Sequence, residues 1–328
     1  MPERRPLRGD CFEETVRREP FPAFLVRAAE FVHDSVEWGK VIERPVRFAL
    51  VRLGLGRMTL RFRTGLEVPV DRRNLSTVES LVRLAYSVGA TLVAAGTPHD
   101  RAWHVSIEDG TIETPNGVRL ALASLNPAIF DETFGREIHF QGFDLTGRTV
   151  VDAGAFVGDS ALYFAAMGAS VIAYEPDPAN FRHLVKNLSL NPRLAPRVRA
   201  VNAAVGGDGE VAFQSNLGGA SGVHATGGSP VRVRSISLAT IFRENHLDRA
   251  FLLKADIKGA EFELVRQHEL GNFDRLAIEY QTFRADQSPD QLVEAIRARG
   301  FTRMRVYHHG AGTYTLEHGG MIEAEKAD

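Results

Sequence analysis

The feature that most constrains the fold is an alternation of short apolar runs with helical patterns, which begins at Thr149. The apolar runs have the length and composition of buried strands, and the segments between them carry apolar residues at helical spacing. Strands that alternate with helices in this way form a mostly parallel sheet with helices on both faces. The pattern therefore predicts a Rossmann-like α/β domain with a ligand site beyond the carboxyl ends of its strands.

The elements of this domain follow from the same pattern. The predicted strands are 149–155, 170–176, 198–205, 250–257 and 275–281, and the predicted helices are 159–169, 178–190, 238–245, 259–269 and 289–299. Two β-rich runs, 301–309 and 312–319, predict an antiparallel C-terminal hairpin. A short strand at 209–215 precedes a Gly/Ser-rich run at 216–230, and a loop of this length is typical of a functional segment. We expect that run to cover the ligand edge.

The first part of the chain predicts a separate unit. We assign residues 1–135 to an accessory α+β module for substrate binding or dimerisation, and residues 136–328 to the main domain. The module is expected to contain strands at 47–63 and 65–70, a helix at 76–89 and a small meander at 103–122. Ser76 and Glu79 have the spacing of a capping box at the start of that helix.

Composition excludes several classes of protein. A formal charge of −2 excludes the broad basic surface of a dedicated nucleic-acid binder. The single cysteine excludes an internal disulfide, and the eleven histidines have no metal-binding spacing, so we predict no metal site. No apolar run approaches the roughly 20 residues that span a bilayer. We therefore expect a cytoplasmic protein without membrane contact.

The turn after the first strand, VVDAGAFVGDS, has the glycines of a nucleotide-binding loop. The spacing of Gly154 and Gly158 is not that of a dinucleotide site, and the Lys-Ser/Thr of a phosphate loop is missing. Asp152 would oppose a bound pyrophosphate and favour a cation instead. Glu175 follows the next strand, 21 residues after Gly154, where an acidic side chain can accept hydrogen bonds from ribose hydroxyl groups.

A ribose site without a phosphate site, next to a carboxylate that favours a cation, predicts S-adenosylmethionine (SAM) as the cofactor. On this interpretation Glu175 holds the ribose, and Asp152 stabilises the methionine ammonium group directly or through water. Phe156, in the glycine loop, is a further candidate for cofactor contact.

The segment 150–192 resembles the core of the FkbM-type family of class I SAM-dependent methyltransferases. The matching residues are Asp152, Gly154, Ala155, Gly158, Asp159, Glu175, Pro176, Lys186, Asn187 and Asn191. The resemblance covers about 136–282 and implies that Asn202 or Ala203 lies beside the adenine. The predicted cofactor-binding residues are therefore Asp152, Gly154, Ala155, Phe156, Gly158, Asp159, Glu175, Pro176, Asn202 and Ala203.

A second motif of the family is similar to LLKADIKGAEFELV, which contains Lys254, Asp256, Gly259 and Glu261. Lys258 occupies a position that is usually acidic in the family. Three interpretations are open: a solvated lysine, a lysine that binds an anionic group of the substrate, or a change in the reaction. Only five of the 39 basic residues are lysines, so an amine at this position is unusual for the chain.

The candidate catalytic residues are Asp256, Lys258 and Glu279. Asp256 is expected at the ligand edge of a central strand, where it would act as the base or orient the substrate or SAM, and Glu279 is the alternative base. Lys254 is expected to hold Asp256 ionised.

Together with the resemblance, these residues predict methyl transfer from SAM to an oxygen of a small molecule, such as a sugar or glycoconjugate hydroxyl. If Lys258 binds an anionic group, the acceptor molecule would carry that group. If the accessory module serves dimerisation, the protein would be a homodimer. The alternatives are another SAM-consuming reaction such as cyclisation or alkyl transfer, an RNA methyltransferase, and a non-catalytic SAM-binding protein.

Overall fold

The structure is a computed structural model that describes residues 36–87, 89–99, 101–138, 142–215, 217, 222, 228–282, 286–308 and 319–327. Most of the Gly/Ser-rich run 216–230 and all of the second C-terminal run, 312–319, except Gly319 therefore lie outside the described residues. The cysteine of the chain and the first part of the predicted accessory module also lie outside them.

The N-terminal part contains two small sheets and two helices. Its elements are α1 (Pro45–Arg52), β1 (Met58–Arg61), β2 (Glu67–Val70), α2 (Leu75–Ser87), β3 (Leu92–Ala94), β4 (Trp103–Ser106), β5 (Thr111–Glu113) and β6 (Arg119–Ala121). Strands β1 and β2 pair antiparallel, and β3 to β6 form a sheet in chain order. The second helix and the meander β4-β5-β6 confirm the sequence prediction, whereas β3 was not predicted.

Two predictions for this part were wrong. The run 47–63 begins as helix α1, because Pro45 starts the helix and its buried face, Phe48, Ala49 and Val51, packs inward. The strand starts only at Met58. Helix α2 begins at Leu75, so Ser76 lies inside it, and the Glu79 carboxylate accepts a hydrogen bond from Arg52 Nε at 2.6 Å instead of closing a capping box.

The segment between the two parts is helical. Asn126 caps helix α3 (Pro127–Phe130) by accepting from two backbone amides, and a π-helical turn, Asp131–Gly135, follows without a break. The apolar core of the N-terminal part includes Val157 and Leu162, which belong to the main domain. The packing is therefore continuous across the predicted boundary at 135/136, which remains a prediction.

The main domain contains a seven-stranded sheet. Its strands are β7 (Thr149–Ala153), β8 (Ser170–Tyr174), β9 (Val198–Val201), β13 (Ala250–Asp256), β14 (Phe273–Gln281), β15 (Arg303–His308) and β16 (Gly319–Glu325). The order in space is β15-β16-β14-β13-β7-β8-β9, and only β16 runs antiparallel to its neighbours. This confirms the predicted mostly parallel sheet with an antiparallel C-terminal hairpin.

Five helices connect these strands. They are α4 (Asp159–Ala166), α5 (Pro178–Ser189), α6 (Leu238–Glu244), α7 (Glu261–Leu264) and α8 (Pro289–Ala298). Short 3-10 turns lie at Leu122–Ser124, Ala195–Arg197 and His268–Asn272. All five helices were predicted, although α7 is shorter than expected. The second strand of the hairpin lies at 319–325, next to the predicted run 312–319.

A second sheet of three strands contains β10 (Ala204–Val205), β11 (Gly209–Ser215) and β12 (Ser229–Ile236), in the order β10-β12-β11. The predicted strand 198–205 is therefore broken at Asn202, and its second half pairs with β12. Strand β12 was not predicted, because the arginines at alternate positions leave it few apolar residues. One of them, Arg232, forms an ion pair with Glu210 of the neighbouring strand β11.

The carboxyl ends of β7, β8, β13 and β14 meet at one edge of the sheet, because these strands are parallel neighbours. In the register, Lys254 lies beside Asp152 and Asp256 beside Glu279. Lys254, Asp152, Asp256 and Glu279 therefore lie close together at this edge.

Candidate functional site

A cavity opens at the carboxyl edge of the sheet, and its wall contains seven acidic and basic side chains. These described lining residues are Glu132, Asp159, Glu175, Lys254, Asp256, Lys258 and Glu263. Five carboxyl groups against two amines give the wall an acidic balance. Such a wall favours a cationic ligand and opposes a phosphate.

The turn after β7 forms the floor of the cavity. Gly154 has φ 80°, and a Cβ atom at this position would lie 2.0 Å from the carbonyl oxygen of Asp256. Glycine is required here because the end of β13 passes directly beside the turn. Phe156 also has a positive φ, 48°, which is unusual for a bulky residue and typical of functional turns. Both residues line the cavity.

Glu175 is held rigidly at one side of this turn. Its carboxylate accepts hydrogen bonds from the amides of Phe156 and Asp177, both at 2.8 Å, and from Asn180 Nδ2 at 3.4 Å. Its burial raises the pKa of the carboxyl group to about 8, although these donors act in the opposite direction. A carboxylate has about four acceptor positions, so this one can accept a further donor from a ligand.

Asp152 lies at the end of strand β7, as the sequence predicted, and makes contacts inside the protein. It is absent from the described lining residues and fully buried behind the floor. One carboxylate oxygen accepts from Ser160 Oγ at 2.7 Å, and the other lies 3.1 Å from Lys254 Nζ. The described contacts of Asp152 are therefore internal, and its role toward the methionine ammonium group, directly or through water, stays a prediction.

Asp159 presents a carboxylate to the cavity. Thr133 Oγ1 donates to Oδ2 of Asp159 at 2.7 Å, whereas Oδ1 is buried and has no hydrogen-bond partner among the described residues. Burial raises the pKa of Asp159 to about 6. A buried acceptor without a donor is unfavourable, so a ligand with an N–H or O–H group would stabilise it.

The two lysines of the second motif have different partners. Lys254 donates to the carbonyl of Gly154 at 2.6 Å and pairs with Asp152, and it is Lys258 whose ammonium group donates to Asp256 Oδ1 at 2.7 Å. The expectation that the charge of Lys254 holds Asp256 ionised stays a prediction, and the charge of Asp256 in turn acts to raise the pKa of Lys254. Burial lowers the pKa of Lys258, but the charges of Asp256 and Glu279 outweigh this effect and its pKa is raised.

Glu132 is a site residue that the sequence did not indicate. It lies on the π-helical turn before the main domain and lines the cavity with Asp256 and Lys258. Burial, and then the charge of Glu279, raise the pKa of Glu132 to about 7. We call Glu132, Asp256, Lys258 and Glu279 the Lys258 cluster. The charge of Glu279 acts to raise the pKa of both Glu132 and Lys258. Glu279 itself is not among the described residues that line the cavity.

Glu261, the acidic residue of the second motif, has a structural position. Its side chain is fully buried, and both oxygens accept from the backbone amide of Gly259, at 3.1 and 2.8 Å. Burial raises the pKa of Glu261 to about 8. This side chain fixes the turn that carries Lys258.

The remaining predicted cofactor residues divide into two groups. Pro176 lines the cavity, whereas the described lining does not include Ala155, Gly158, Asn202 or Ala203. Asn202 instead donates to the carbonyls of Glu175 and Pro176, at 2.7 and 3.1 Å, and so fixes the chain after β8. The apolar wall next to these residues comes from the second sheet, through Ala204, Val205, Val211 and Phe213.

The order of the seven strands, with one antiparallel strand next to the edge, is that of the class I methyltransferase fold. Comparison with protein families agrees with this class, because residues 152–303 match the family model described as the methyltransferase FkbM domain. The resemblance to the FkbM-type family of methyltransferases is therefore confirmed over residues 152–303.

The solved structures to which the chain is similar are distant in sequence. The N-terminal domain of human METTL16, in complex with SAH, is 12% identical over 92% of this chain and 94% of that chain, with a TM-score of 0.38. Precorrin-6y C5,15-methyltransferase from Geobacter metallireducens GS-15 is 12% identical over 58% of this chain and 85% of that chain, with a TM-score of 0.34. No curated protein matches the chain.

Two further features concern the described part of the chain. Within it, no helix has both the length and the apolar surface needed to cross a bilayer. The same residues contain no group of three His, Cys, Asp or Glu side chains that could hold a metal ion.

Proposed function

We propose that this protein transfers the methyl group of SAM to a hydroxyl oxygen of a small molecule, such as a sugar or glycoconjugate. The observation that carries the proposal is the pair of groups on either side of Gly154. Glu175 is fixed on one side by two backbone amides, and the Asp256–Lys258 ion pair lies on the other. A ligand on this turn would therefore have a fixed carboxylate at one end and a charged cluster at the other.

The residues present fit SAM. Glu175 would accept hydrogen bonds from the ribose hydroxyls, because its oriented carboxylate still has acceptor capacity. Asp159 would accept from the amino group of the methionine part, which would give its unpartnered oxygen a donor. The apolar side chains of Val205, Val211 and Phe213 would contact the adenine. The acidic wall suits a ligand that carries a sulfonium charge.

SAM supplies an electrophilic methyl group when it is bound. The protein must then position the acceptor oxygen and accept its proton. Asp256 lies at the end of β13 but is bonded to Lys258, which weakens it as a base. Glu132 lines the same wall, and its pKa of about 7 matches neutral solution better. Glu132 therefore joins Asp256 and Glu279 as a candidate base.

The charge of the cluster bears on the acceptor. Lys258 is already bonded to Asp256, and Glu132 and Glu279 add negative charge around it. An anionic group would meet these carboxylates before it could use the lysine. The cluster therefore supports a neutral hydroxyl acceptor over the anionic acceptor that the sequence left open.

The experiment that tests this function is incubation of the protein with SAM carrying a labelled methyl group and a cell extract. We expect label in a small hydroxylated molecule and SAH as the nucleoside product, and Glu175→Gln should lower the rate at which both form when SAM is limiting. Methylthioadenosine as the product would indicate a different SAM-consuming reaction. Label in RNA would identify an RNA methyltransferase, and SAM binding without any product would indicate a non-catalytic protein.

A further inference from the structure

Lys258 is held in an unusual backbone conformation. Its φ is 46°, in the left-handed region, and Gly259 follows with φ 111°. Left-handed geometry is unfavourable for a lysine and persists where surrounding contacts maintain it. The Glu261 carboxylate accepts a hydrogen bond from the amide of Gly259. The turn places the Lys258 ammonium group next to Asp256, to which it donates a hydrogen bond. The fold therefore fixes a positive charge beside this carboxylate.

The effect of this placement is to cancel a charge on the cavity wall. Asp256 and Lys258 are both mostly buried, with 24% and 22% of their side chains exposed. Without the ammonium group, the carboxyl groups of Asp256 and Glu132 would both line the cavity, with Glu279 beside Asp256 in the strand register. Charges in a partly buried site interact more strongly than charges in water.

SAM and its product SAH differ by one methyl group and one positive charge. We propose that Lys258 sets how strongly this cavity prefers cationic SAM over neutral SAH, by cancelling the charge of Asp256, and that Glu132 acts in the opposite direction. This inference rests on the proposed function, because it requires SAM in the cavity.

The arrangement has a consequence for the reaction. The positive charge of the sulfonium is dispersed when the methyl group moves to the acceptor, so a strongly anionic wall would stabilise the starting state more than the transition state. Binding that favours the ground state does not accelerate the chemical step. The ion pair of Lys258 with Asp256 therefore limits the stabilisation of the cofactor before transfer.

Calorimetry on the full chain tests the inference without an acceptor. The probes are SAM, SAH and sinefungin, in which a carbon bearing an ammonium group replaces the methyl sulfonium. Lys258→Met should raise the preference for SAM over SAH by about fivefold to twentyfold, the effect of one unit charge at the edge of a partly buried site. Sinefungin should follow SAM. Glu132→Gln should lower the same preference by about threefold.

Two control variants make the result specific. Lys258→Arg keeps the charge, so its ratio of SAM affinity to SAH affinity should stay within about twofold of the wild-type value. Lys186→Met removes an exposed lysine of helix α5 and should leave this affinity ratio unchanged. Thermal melts show which variants are folded. If Lys258→Met does not fold, the opposite shift expected in Glu132→Gln decides the question, because that side chain is one-third exposed.

The outcomes separate the two proposals. Unchanged SAM-to-SAH ratios in both Lys258→Met and Glu132→Gln, with normal SAM binding, would overturn this inference and leave the proposed function intact. Failure of the wild-type protein to bind any of the three probes would overturn the proposed function and the inference with it.

Discussion

The ammonium group of Lys258 lies 2.7 Å from Oδ1 of Asp256, although the strand itself places Lys254 on the same side as this aspartate. Lys254 points to the neighbouring strand instead, where Asp152 lies beside it in register. The motif therefore contains two separate ion pairs. One is buried and fixes the floor of the cavity, and the other lies on the wall.

The buried pair should be essential for stability. Lys254→Met would leave the Asp152 carboxylate buried without its counter-charge, since both side chains are at most 5% exposed. We expect a loss of about 3–5 kcal/mol in the free energy of unfolding, measured by urea denaturation. The control is Arg232→Met, which breaks an exposed pair with Glu210 and should change stability by less than about 1 kcal/mol. Equal losses in the two variants would contradict the structural role of Lys254.

Gly154→Ala tests the close approach of β13 to the turn. The new Cβ atom would meet the Asp256 carbonyl at 2.0 Å, and the φ of 80° adds strain. We expect a loss of about 3 kcal/mol or more in the free energy of unfolding. Gly147→Ala has φ 68° but open space around its Cβ, so it reports the strain alone, about 1–2 kcal/mol. Similar losses at both positions would rule out the clash.

Helix α5 is joined to the N-terminal part through a buried asparagine. Asn187 accepts from the amide of Ala121 and donates to the carbonyl of Val157, both at 2.8 Å. Asn187→Ala would leave both groups buried without partners, and we expect a loss of about 2–4 kcal/mol in urea unfolding. Ser189→Ala, an exposed change on the same helix, should stay within about 0.5 kcal/mol. If Asn187→Ala also stayed within about 0.5 kcal/mol, Asn187 would not stabilise the contact between helix α5 and the N-terminal part.

Glu175 should make SAM affinity depend on pH. Because burial raises its pKa to about 8, the carboxyl group is neutral at lower pH and has fewer acceptor positions for the ribose hydroxyls. Affinity measured by calorimetry should therefore increase as the pH rises through about 8. Above about pH 8, where Glu175 is ionised, Glu175→Gln should weaken binding by about 1–3 kcal/mol. The variant should also lose the part of the pH dependence that Glu175 contributes. The same pH profile in both proteins would contradict this assignment.

Local patterns were sufficient to predict the sheet and one end of the site. The alternation of apolar runs and helical segments fixed the order of the main elements, and the spacing from Gly154 to Glu175 placed a carboxylate beside the turn, where the structure has it. The helix at 45–52 was missed because Phe48 to Val51 form an apolar run, whereas Pro45 and the buried face of the helix determine its conformation.

The other end of the site depends on contacts between distant parts of the chain. Whether Lys254 or Lys258 bonds Asp256 is decided by the left-handed turn at 258 and by the strand beside Asp152, neither of which is visible in the spacing. Glu132 reaches the cavity from a π-helical turn in the preceding segment. Its sequence neighbours give no periodic signal that could have predicted this position.

The most direct test of the central claim is a crystal structure of the protein with SAH. We predict that the nucleoside lies in the cavity at the carboxyl edge of the sheet, with its ribose hydroxyls hydrogen-bonded to Glu175 and its amino group to Asp159. Binding of SAH at another surface, or a ribose that makes no contact with Glu175, would contradict the account.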